Sequence, residues 1–359
     1  MFEVIPRIPA YYLFRRLGWP RILPLSLTIS ASFKCNSRCK TCNIYKKKCE
    51  ELAPEEWETV FRGLGRDLFW VTMSGGEPFL NPALSKIVCS LYDHCHPAVI
   101  TIPTNGLLRD RIPDVVQKIS RHCVKSRIVV NVSLDEIEDR HDSIRGIPGC
   151  YNAARDTFLA LRALHRANVS LGIHTVISRF NVARIPDIYR HLRKLVPDSY
   201  ITEIAEEREE LSTVGADIVP PYEDYVKAVD FLAAALRKDC FDRVGRITRA
   251  FRIEYYGLVK KILKEQRQII PCYAGFASAQ IAPNGDVWMC CVQAKSIGNL
   301  RQAGYDFAQV WFSPEAAAMR QSIKEGHCYC PLANAGYTNM LFDPGALSRA
   351  GANFANLPA

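Results

Sequence analysis

Three cysteines near the start of the chain are spaced closely enough to bind one metal centre. Cys35, Cys39 and Cys42 follow the pattern CxxxCxxC, so a single loop can present three thiolates. Thiolates are soft ligands that suit zinc or an iron–sulfur cluster. If a fourth coordination position stays open, a small molecule can bind the metal there and react. Cys49, a little further along, could instead complete a four-ligand zinc site.

A glycine-rich turn follows the next strand-like segment. Residues 69–73 form an apolar run typical of a strand, and Gly75, Gly76 and Glu77 come directly after it in the sequence Ser-Gly-Gly-Glu-Pro. Two adjacent glycines let backbone groups approach a ligand without an obstructing Cβ. Alone, such a turn is weak evidence of a site, but one strand–helix unit after CxxxCxxC it is strong evidence.

Two further predicted strands end in polar side chains. Residues 98–103 lead into Thr-Asn-Gly, which places Asn105 at a strand end. Residues 127–134 end beside Ser133 and Asp135, whose side chains point the same way because they are two apart on a strand. This pair is able to hydrogen-bond two neighbouring hydroxyl groups, or alternatively to cap the turn that follows.

Together these motifs resemble the radical SAM superfamily. In that family the three cysteines hold a [4Fe–4S] cluster whose remaining iron binds S-adenosylmethionine (SAM). One electron then splits SAM into methionine and a 5′-deoxyadenosyl radical, which removes a hydrogen atom from the substrate. The resemblance implies that the residues that position SAM are Gly75, Gly76, Glu77, Asn105, Ser133 and Asp135.

The match leaves two details open. The family often has an aromatic residue just before the third cysteine, where this chain has Thr41. Arg145, in a His-Asp-Ser-Ile-Arg-Gly stretch that resembles one subgroup, and Arg155 are both able to bind the SAM carboxylate through two hydrogen bonds. The sequence does not choose between these arginines, and it identifies no residue that binds or deprotonates the substrate.

The elements that must position these turns repeat regularly. Strand-like runs alternate with helical patterns at about 30 residues per repeat, the length of a β–α unit. A closed eight-fold barrel takes about 250 residues, so the sequence predicts an α/β protein with an open, partial (β/α)6 radical SAM barrel. The predicted strands are 25–30, 69–73, 98–103, 127–134, 169–177 and 200–205, and the predicted helices are 54–63, 84–95, 112–122, 150–167 and 185–195.

A second cysteine set lies near the other end of the chain. A predicted hairpin, 279–282 and 287–289, separates its members, which resembles the C-terminal SPASM/twitch domains that hold an auxiliary [4Fe–4S] cluster. No cysteine follows Cys330, so a single-cluster, twitch-like domain matches better than a full SPASM domain. The implied ligands are Cys272, Cys290, Cys328 and Cys330, with Cys291 the main alternative for one place and structural zinc the alternative metal.

These patterns divide the chain into four parts. The predicted parts are an N-terminal segment at 1–24, the barrel at 25–215, the SPASM/twitch-like domain at 216–331 and a tail without a motif at 332–359. Residues 206–215 are predicted to form a charged linker. The helices expected in the second domain are 222–237, 247–268 and 314–324.

Composition excludes several classes of protein. The 14 cysteines are not spaced like a secreted disulfide framework, and no signal peptide precedes them, so a reducing cytoplasm is expected. There is no run of about 18 apolar residues that would span a membrane. The net charge of +9 is modest for 359 residues and lacks the basic-aromatic modules of nucleic-acid binders.

Two basic segments suggest partners. Lys46, Lys47 and Lys48 could attract a small acidic electron donor such as a flavodoxin or ferredoxin, although a solvated charge run is an equally good interpretation. In residues 1–24, arginines alternate with aromatic and aliphatic side chains. This pattern favours a short helix that closes the base of the barrel over peripheral contact with a membrane.

The sequence therefore predicts a radical SAM enzyme that oxidises or otherwise modifies a peptide, a sugar or a lipid-linked substrate. Only 34 residues precede Cys35, too few for a winged peptide-recognition domain, and this weighs against a peptide. The alternative is a non-catalytic iron–sulfur or zinc-binding interaction protein derived from the same fold. In that case Cys49 would complete the first site and SAM would not bind.

Overall fold

A single sheet forms the centre of the computed structural model, which describes residues 4–239 and 243–358. Residues 1–3 of the predicted N-terminal segment, 240–242 of the second domain and 359 of the tail lie outside it. The sheet order is β6-β5-β4-β3-β2-β1-β7-β8-β9. The strands are β1 Ser26–Ser32, β2 Trp70–Gly75, β3 Val99–Thr104, β4 Arg127–Ser133, β5 Val169–Ile177, β6 Ser199–Ile204, β7 Ser278–Ile281, β8 Asp286–Trp288 and β9 Ser296–Asn299.

Helices connect and cover these strands. In the barrel they are α1 Ile8–Leu17, α2 Pro54–Leu64, α3 Leu84–Cys95, α4 Arg111–His122, α5 Glu138–Arg145, α6 Cys150–Arg162 and α7 Ile185–Leu192. Beyond it they are α8 Tyr222–Lys238, α9 Arg243–Glu265, α10 Phe307–Trp311, α11 Pro314–Glu325, α12 Ala333–Phe342 and α13 Pro344–Asn356. None of these described helices is long and apolar enough to cross a membrane.

Strands β1 to β6 form the predicted six-fold partial barrel. Each pairs in parallel with the next, and the sheet stays open at β6. The apolar runs supply its core: Leu27 and Ile29 of β1 and Val130 of β4 are fully buried. Parallel strands connected by helices bring all their carboxyl ends to one edge. The polar turns that follow these strands therefore share that edge.

The second domain is joined to the barrel through the sheet itself. The predicted hairpin forms as β7 and β8, but β7 also pairs in parallel with β1, with Leu27 opposite Ala279. The strand that leads into the first cysteine loop is therefore hydrogen-bonded to the hairpin of the second cysteine set. The sequence pattern identified both strands without showing that they are neighbours.

The tail contains two helices rather than irregular structure. Helix α12 supports the second cysteine set, because the Asn339 side chain accepts a hydrogen bond of 2.7 Å from the Tyr273 N–H. The ring of Phe342 stacks on Tyr273 with centroids 4.4 Å apart. Helix α5 was also not predicted, and the helix expected at 150–167 ends earlier, at Arg162.

Helix α1 covers the amino ends of the first strands, as the preferred interpretation of the N-terminal segment predicts. Arg7 donates a hydrogen bond of 2.7 Å to the carbonyl of Asp67, just before β2. Tyr11 donates one of 2.8 Å to the carbonyl of Leu23, just before β1. This end of the sheet is opposite the edge that carries the cysteine loop.

Candidate active site

The loop that carries the first three cysteines lies at the carboxyl end of β1, and its thiols are free and half-buried. The N–H of Ser37 lies 3.5 Å from the Cys35 sulfur. The N–H of Ile44 lies at the same distance from the Cys42 sulfur. Burial raises the pKa of the Cys42 thiol to about 12. The amide dipoles oppose this effect and stabilise a thiolate, the form that ligates metal.

Gly75 and Gly76 occur where the second turn touches the cysteine loop. The N–H of Gly76 donates to the Ser32 carbonyl at 2.8 Å, and that of Glu77 donates to the Lys34 carbonyl at 2.9 Å. A Cβ on either glycine would lie 2.2 Å from one of those carbonyl oxygens. The close approach predicted for the glycines is thus made by the chain's own backbone, and their contact with a ligand remains a prediction.

Glu77 links the second turn to the third. Its buried carboxylate accepts hydrogen bonds from the Thr104 hydroxyl at 2.9 Å, the Asn105 N–H at 2.7 Å and the Phe79 N–H at 3.2 Å. Burial raises the pKa of Glu77 to about 7, although these hydrogen bonds lower it. These partners of the Glu77 carboxylate belong to the second and third turns, so the carboxylate holds the two turns together.

Asn105 connects the third turn to the cysteine loop. Its side-chain amide donates to the Asn36 side-chain oxygen at 2.7 Å and to the Ser37 hydroxyl at 3.0 Å. The same nitrogen lies 3.9 Å from the Cys35 sulfur. The sequence placed Asn105 near the first cysteine site, and the structure brings the two into direct contact.

Ser133 and Asp135 end β4 in buried positions. The Asp135 carboxylate accepts a hydrogen bond of 2.9 Å from the Val176 N–H. Its other oxygen lies 2.7 Å from Nε of Arg145 in an ion pair. Both oxygens of Asp135 therefore have protein partners, which favours a role in positioning Arg145.

The two candidate arginines lie in different surroundings. Arg145 is close to the first cysteines, since its guanidinium is 3.8 Å from the Cys39 sulfur and its carbonyl accepts a 2.9 Å hydrogen bond from the Arg38 N–H. The side chain of Arg155 is 42% exposed and pairs with Asp156 instead. Geometry thus brings Arg145, and not Arg155, to the cysteine loop.

The four cysteines of the second set are linked by electrostatic effects on their thiols. Burial raises the pKa of each thiol, and the set's own members add to the increase for Cys272, Cys290 and Cys330. The added effect on Cys272 comes from Cys328, and that on Cys330 comes from Cys272 and Cys290. Neighbouring thiolates repel one another, and a cation that they share stabilises all of them.

Cys291, the alternative ligand, has different neighbours. Its sulfur lies 3.6 Å from the Arg208 guanidinium, and its side chain packs against Leu332 and Ala335. Burial raises the pKa of this thiol, Glu210 raises it further, and Arg208 lowers it. Cys291 therefore has a charged and apolar shell that it shares in part with the second set. Cys330 packs against the same apolar cluster, and Cys290 adds to the rise in the pKa of Cys291.

Residues 206–215, the predicted charged linker, contain no helix or strand, and hydrogen bonds attach them to both cysteine regions. The Asn43 N–H donates to the Leu211 carbonyl at 2.9 Å, beside the first loop. The Glu209 N–H donates to the Val292 carbonyl at 3.3 Å, beside the second set. The segment is therefore a linker that contacts hold in place at two points along its length.

Glu206 is a candidate site residue that the sequence analysis missed. One of its carboxylate oxygens is buried without a hydrogen-bond partner in the described structure. Burial raises the pKa of Glu206 to about 7, and Arg208 opposes the shift. Burial raises the pKa values of Cys328 and Cys330, and the negative charge of Glu206 raises them further. The only feature of the sequence that could have indicated Glu206 is the position of an acidic residue just after the last barrel strand.

Both donor sets suit iron–sulfur chemistry. Each consists of cysteine thiols, the ligands that hold such clusters, and the first set sits on a glycine cradle that a Cβ would fill. Within residues 4–239 and 243–358, no three Cys, His, Asp or Glu side chains are arranged to hold a single metal ion.

Comparison with protein families identifies both regions. Residues 29–192 match the family model described as the radical SAM superfamily, and this match includes the first cysteine loop. Residues 272–331 match SPASM, described as an iron–sulfur cluster-binding domain, and this match includes the second set. The chain contains a radical SAM domain and a SPASM domain. The cofactors of these domains are SAM, a [4Fe–4S] cluster and auxiliary iron–sulfur clusters.

Curated relatives resemble the chain over part of their length. AlbA of Bacillus subtilis, an antilisterial bacteriocin subtilosin biosynthesis protein, is 24% identical over 79% of this chain and 59% of its own length. Fe-coproporphyrin III synthase of Methanosarcina barkeri is 31% identical over 44% of this chain and 38% of its own. The sporulation killing factor maturation protein SkfB of Bacillus subtilis is 25% identical over 46% and 39%.

Solved structures share the fold at low identity. SuiB of Streptococcus suis bound to SAM has a TM-score of 0.64 at 15% identity, covering 89% of this chain and 73% of SuiB. The enzyme anSMEcpe with bound SAM and the Cp18Cys peptide has a TM-score of 0.61 at 16% identity, covering 92% and 99%. These likenesses show that the predicted α/β fold with a second cluster domain is correct.

The close backbone contact at the glycine turn predicts the effect of a single methyl group. Gly76→Ala would place its Cβ 2.2 Å from the Lys34 carbonyl oxygen and displace the cysteine loop. We expect the iron bound at the first site to fall by more than half, as measured by iron and sulfide analysis after anaerobic reconstitution.

Gly63→Ala is the matched control, since its Cβ would meet only the Tyr305 carbonyl oxygen at 4.0 Å. It should keep the full iron content and be slightly more stable, by about 0.5–1 kcal/mol, because alanine favours a helix. Equal iron contents in the two variants would contradict the proposed cradle.

Proposed function

We propose that this protein is a radical SAM enzyme that modifies a peptide. The observation that carries this proposal is the likeness to AlbA over 79% of this chain, because the name of AlbA assigns it to the biosynthesis of a bacteriocin. SkfB is named for the maturation of a sporulation killing factor, and a further relative is named PqqA peptide cyclase. These names outweigh the expectation, from the short segment before Cys35, that a peptide is disfavoured.

In this proposal Cys35, Cys39 and Cys42 ligate three irons of the first cluster and leave the fourth open. Cys49 supports this arrangement because its electrostatic neighbours are Glu51, Arg301, Asp286 and Lys34 rather than the three ligands. When bound, the reduced cluster supplies an electron that cleaves SAM and generates the radical that abstracts a substrate hydrogen atom.

The chain's role toward SAM is to bind and orient it. Arg145 is placed to bind the SAM carboxylate, because it is largely buried, charged and adjacent to Cys39. Asp135 holds this guanidinium in place, and Ser133 offers a hydroxyl for the ribose. Gly75 and Gly76 contribute backbone carbonyls for the SAM amino group, since the Gly76 N–H is already used. Glu77 and Asn105 then act by holding the turns in position.

The second cluster is proposed to bind through Cys272, Cys290, Cys328 and Cys330. Glu206 lies near two of these thiols and has an unpaired oxygen, so it is the acidic side chain best placed to bind or deprotonate a substrate group. A cluster at this position can accept an electron from a substrate radical or anchor the substrate.

An acidic electron donor is the proposed redox partner. Arg38, Lys40, Lys46 and Lys48 are exposed around the first cysteine loop. Lys47 is not part of this rim, because its ammonium group donates to the Glu209 carbonyl at 2.9 Å. Exposed cations beside a cluster attract an acidic flavodoxin or ferredoxin and increase its rate of association.

Formation of 5′-deoxyadenosine tests the proposed reaction. Protein reduced with dithionite and supplied with SAM should release it, and Cys42→Ala should abolish release because a cluster ligand is lost. Cys49→Ala should retain both the cluster and the activity. Loss of iron in Cys49→Ala, without any 5′-deoxyadenosine from the native protein, would instead support the non-catalytic metal-binding alternative.

Iron content distinguishes the neighbouring cysteines of the second set. Cys290→Ala should lose the auxiliary cluster, about four irons per chain by the composition of a [4Fe–4S] centre, while Cys291→Ala should retain it. Mössbauer spectra of both variants provide the measurement. The opposite pattern would make Cys291 the ligand.

Co-expression tests the substrate class. Short peptides encoded beside the gene should change in mass when expressed with the native protein, and Cys42→Ala should leave them unmodified. If the peptides stay unchanged while a tetrapyrrole, sugar or lipid fraction is modified in a Cys42-dependent way, the peptide assignment is wrong but the radical chemistry stands.

A further inference from the structure

The outer face of α1 is apolar although it is exposed to solvent. Tyr11 and Phe14 anchor the inner face in the core. Leu17 and Trp19 are 67% and 69% exposed, the highest values among large apolar side chains in the described structure. We call this surface the N-terminal face, and its exposed large apolar residues are Ile5, Tyr12, Leu13, Leu17 and Trp19. A cluster of this kind marks an interaction surface.

Exposed cations lie beside Leu17 and Trp19 in the sequence, whereas Arg7, nearer to Ile5, is paired with Asp67. Arg16 and Arg21 are exposed next to the apolar side chains, and the sequence contains no Asp or Glu between Glu3 and Glu50. Apolar and aromatic side chains flanked by cations are typical of surfaces that rest on anionic lipids, where tryptophan lies at the level of the headgroups.

A cationic cavity of about 180 Å³ opens beside this face. Gly18, at the end of α1, forms part of its wall, and Arg21, Arg320 and Lys324 are its charged lining residues. No acidic residue lines the cavity. The walls between the cations are aromatic, so the cavity combines positive charge with an apolar rim.

Arg320 indicates what this cavity binds. It is only 8% exposed, and it donates hydrogen bonds to the carbonyls of Gly275 and Trp311, neither of which neutralises its charge. Burial and the nearby Arg21 lower the pKa of Arg320 to about 10. A buried guanidinium is costly without a counter-charge, so an anion in the cavity would be stabilised strongly.

We infer that the N-terminal face docks on a bilayer of anionic phospholipid, with one lipid phosphate bound between Arg21, Arg320 and Lys324. The apolar side chains enter the headgroup region, and the cavity takes the phosphate that lies at the same level. Docking leaves the reaction edge free, because α1 covers the opposite ends of the strands. This inference does not depend on the reaction or on the peptide substrate.

Sedimentation of the full chain with vesicles tests this inference. The protein should bind vesicles that contain phosphatidylglycerol and bind pure phosphatidylcholine much more weakly. Arg21→Ala/Lys324→Ala should weaken binding to the anionic vesicles about tenfold or more. Leu17→Ala/Trp19→Ala should weaken it to a similar degree, since the lost apolar area no longer enters the interface.

The control Lys118→Ala/Arg121→Ala removes the same charge from exposed positions of α4 and should change binding less than twofold. An equal loss in this control would show that net charge alone matters and would overturn the inference. So would equal binding to both vesicle types, tight binding of free glycerol 3-phosphate in the cavity without binding to vesicles, or a dimer that Leu17→Ala/Trp19→Ala dissociates.

Discussion

The backbone contact between the first two turns is the constraint on which the site depends. The carbonyl oxygens of Ser32, at the end of β1, and of Lys34 lie so close to Gly75 and Gly76 that a Cβ on either glycine would clash with them. This contact sets the position of the cysteine loop relative to β2, and Glu77 extends the same fixation to the turn after β3. The position of the first cluster site is therefore determined by neighbouring parallel strands rather than by the loop itself.

The pairing of β7 with β1 also holds the second cysteine set in a defined position relative to the first cysteine loop. A domain attached by a flexible linker would leave the distance between two clusters undefined, whereas strands in one sheet hold it constant. The buried part of 206–215 adds contacts to both cysteine regions, and it brings Glu206 and Arg208 to the space between them. A substrate held there would meet the radical source and the auxiliary cluster in a fixed relation.

Local signals in the sequence predicted much of this arrangement. Apolar runs ending in Gly-Gly-Glu-Pro, Thr-Asn-Gly and Ser-x-Asp located the strands and their carboxyl ends, and the residues 169–177 coincide with β5. Parallel strands must align those ends, so the grouping of the turns also followed. Asn105 beside Cys35 is a direct consequence of that rule.

What the sequence could not show depends on long-range contacts. Period-two patterns identify a strand but not its partner, so the β1–β7 pairing was not apparent. The hydrogen bonds that hold 206–215 in place were not apparent either, because their partners, Asn43 and Val292, lie far away in sequence. The ion pair between Asp135 and Arg145 was missed for the same reason, because Arg145 approaches from a helix that had not been predicted.

The central claim is that one iron of the first cluster lacks a protein ligand and binds SAM directly. Electron–nuclear double resonance of the reduced protein, with SAM isotopically labelled at its amino nitrogen, measures this contact. The account predicts a hyperfine coupling between the cluster and the labelled nitrogen, which Cys49→Ala retains. A reduced first cluster whose spectrum is unaffected by saturating SAM would contradict it.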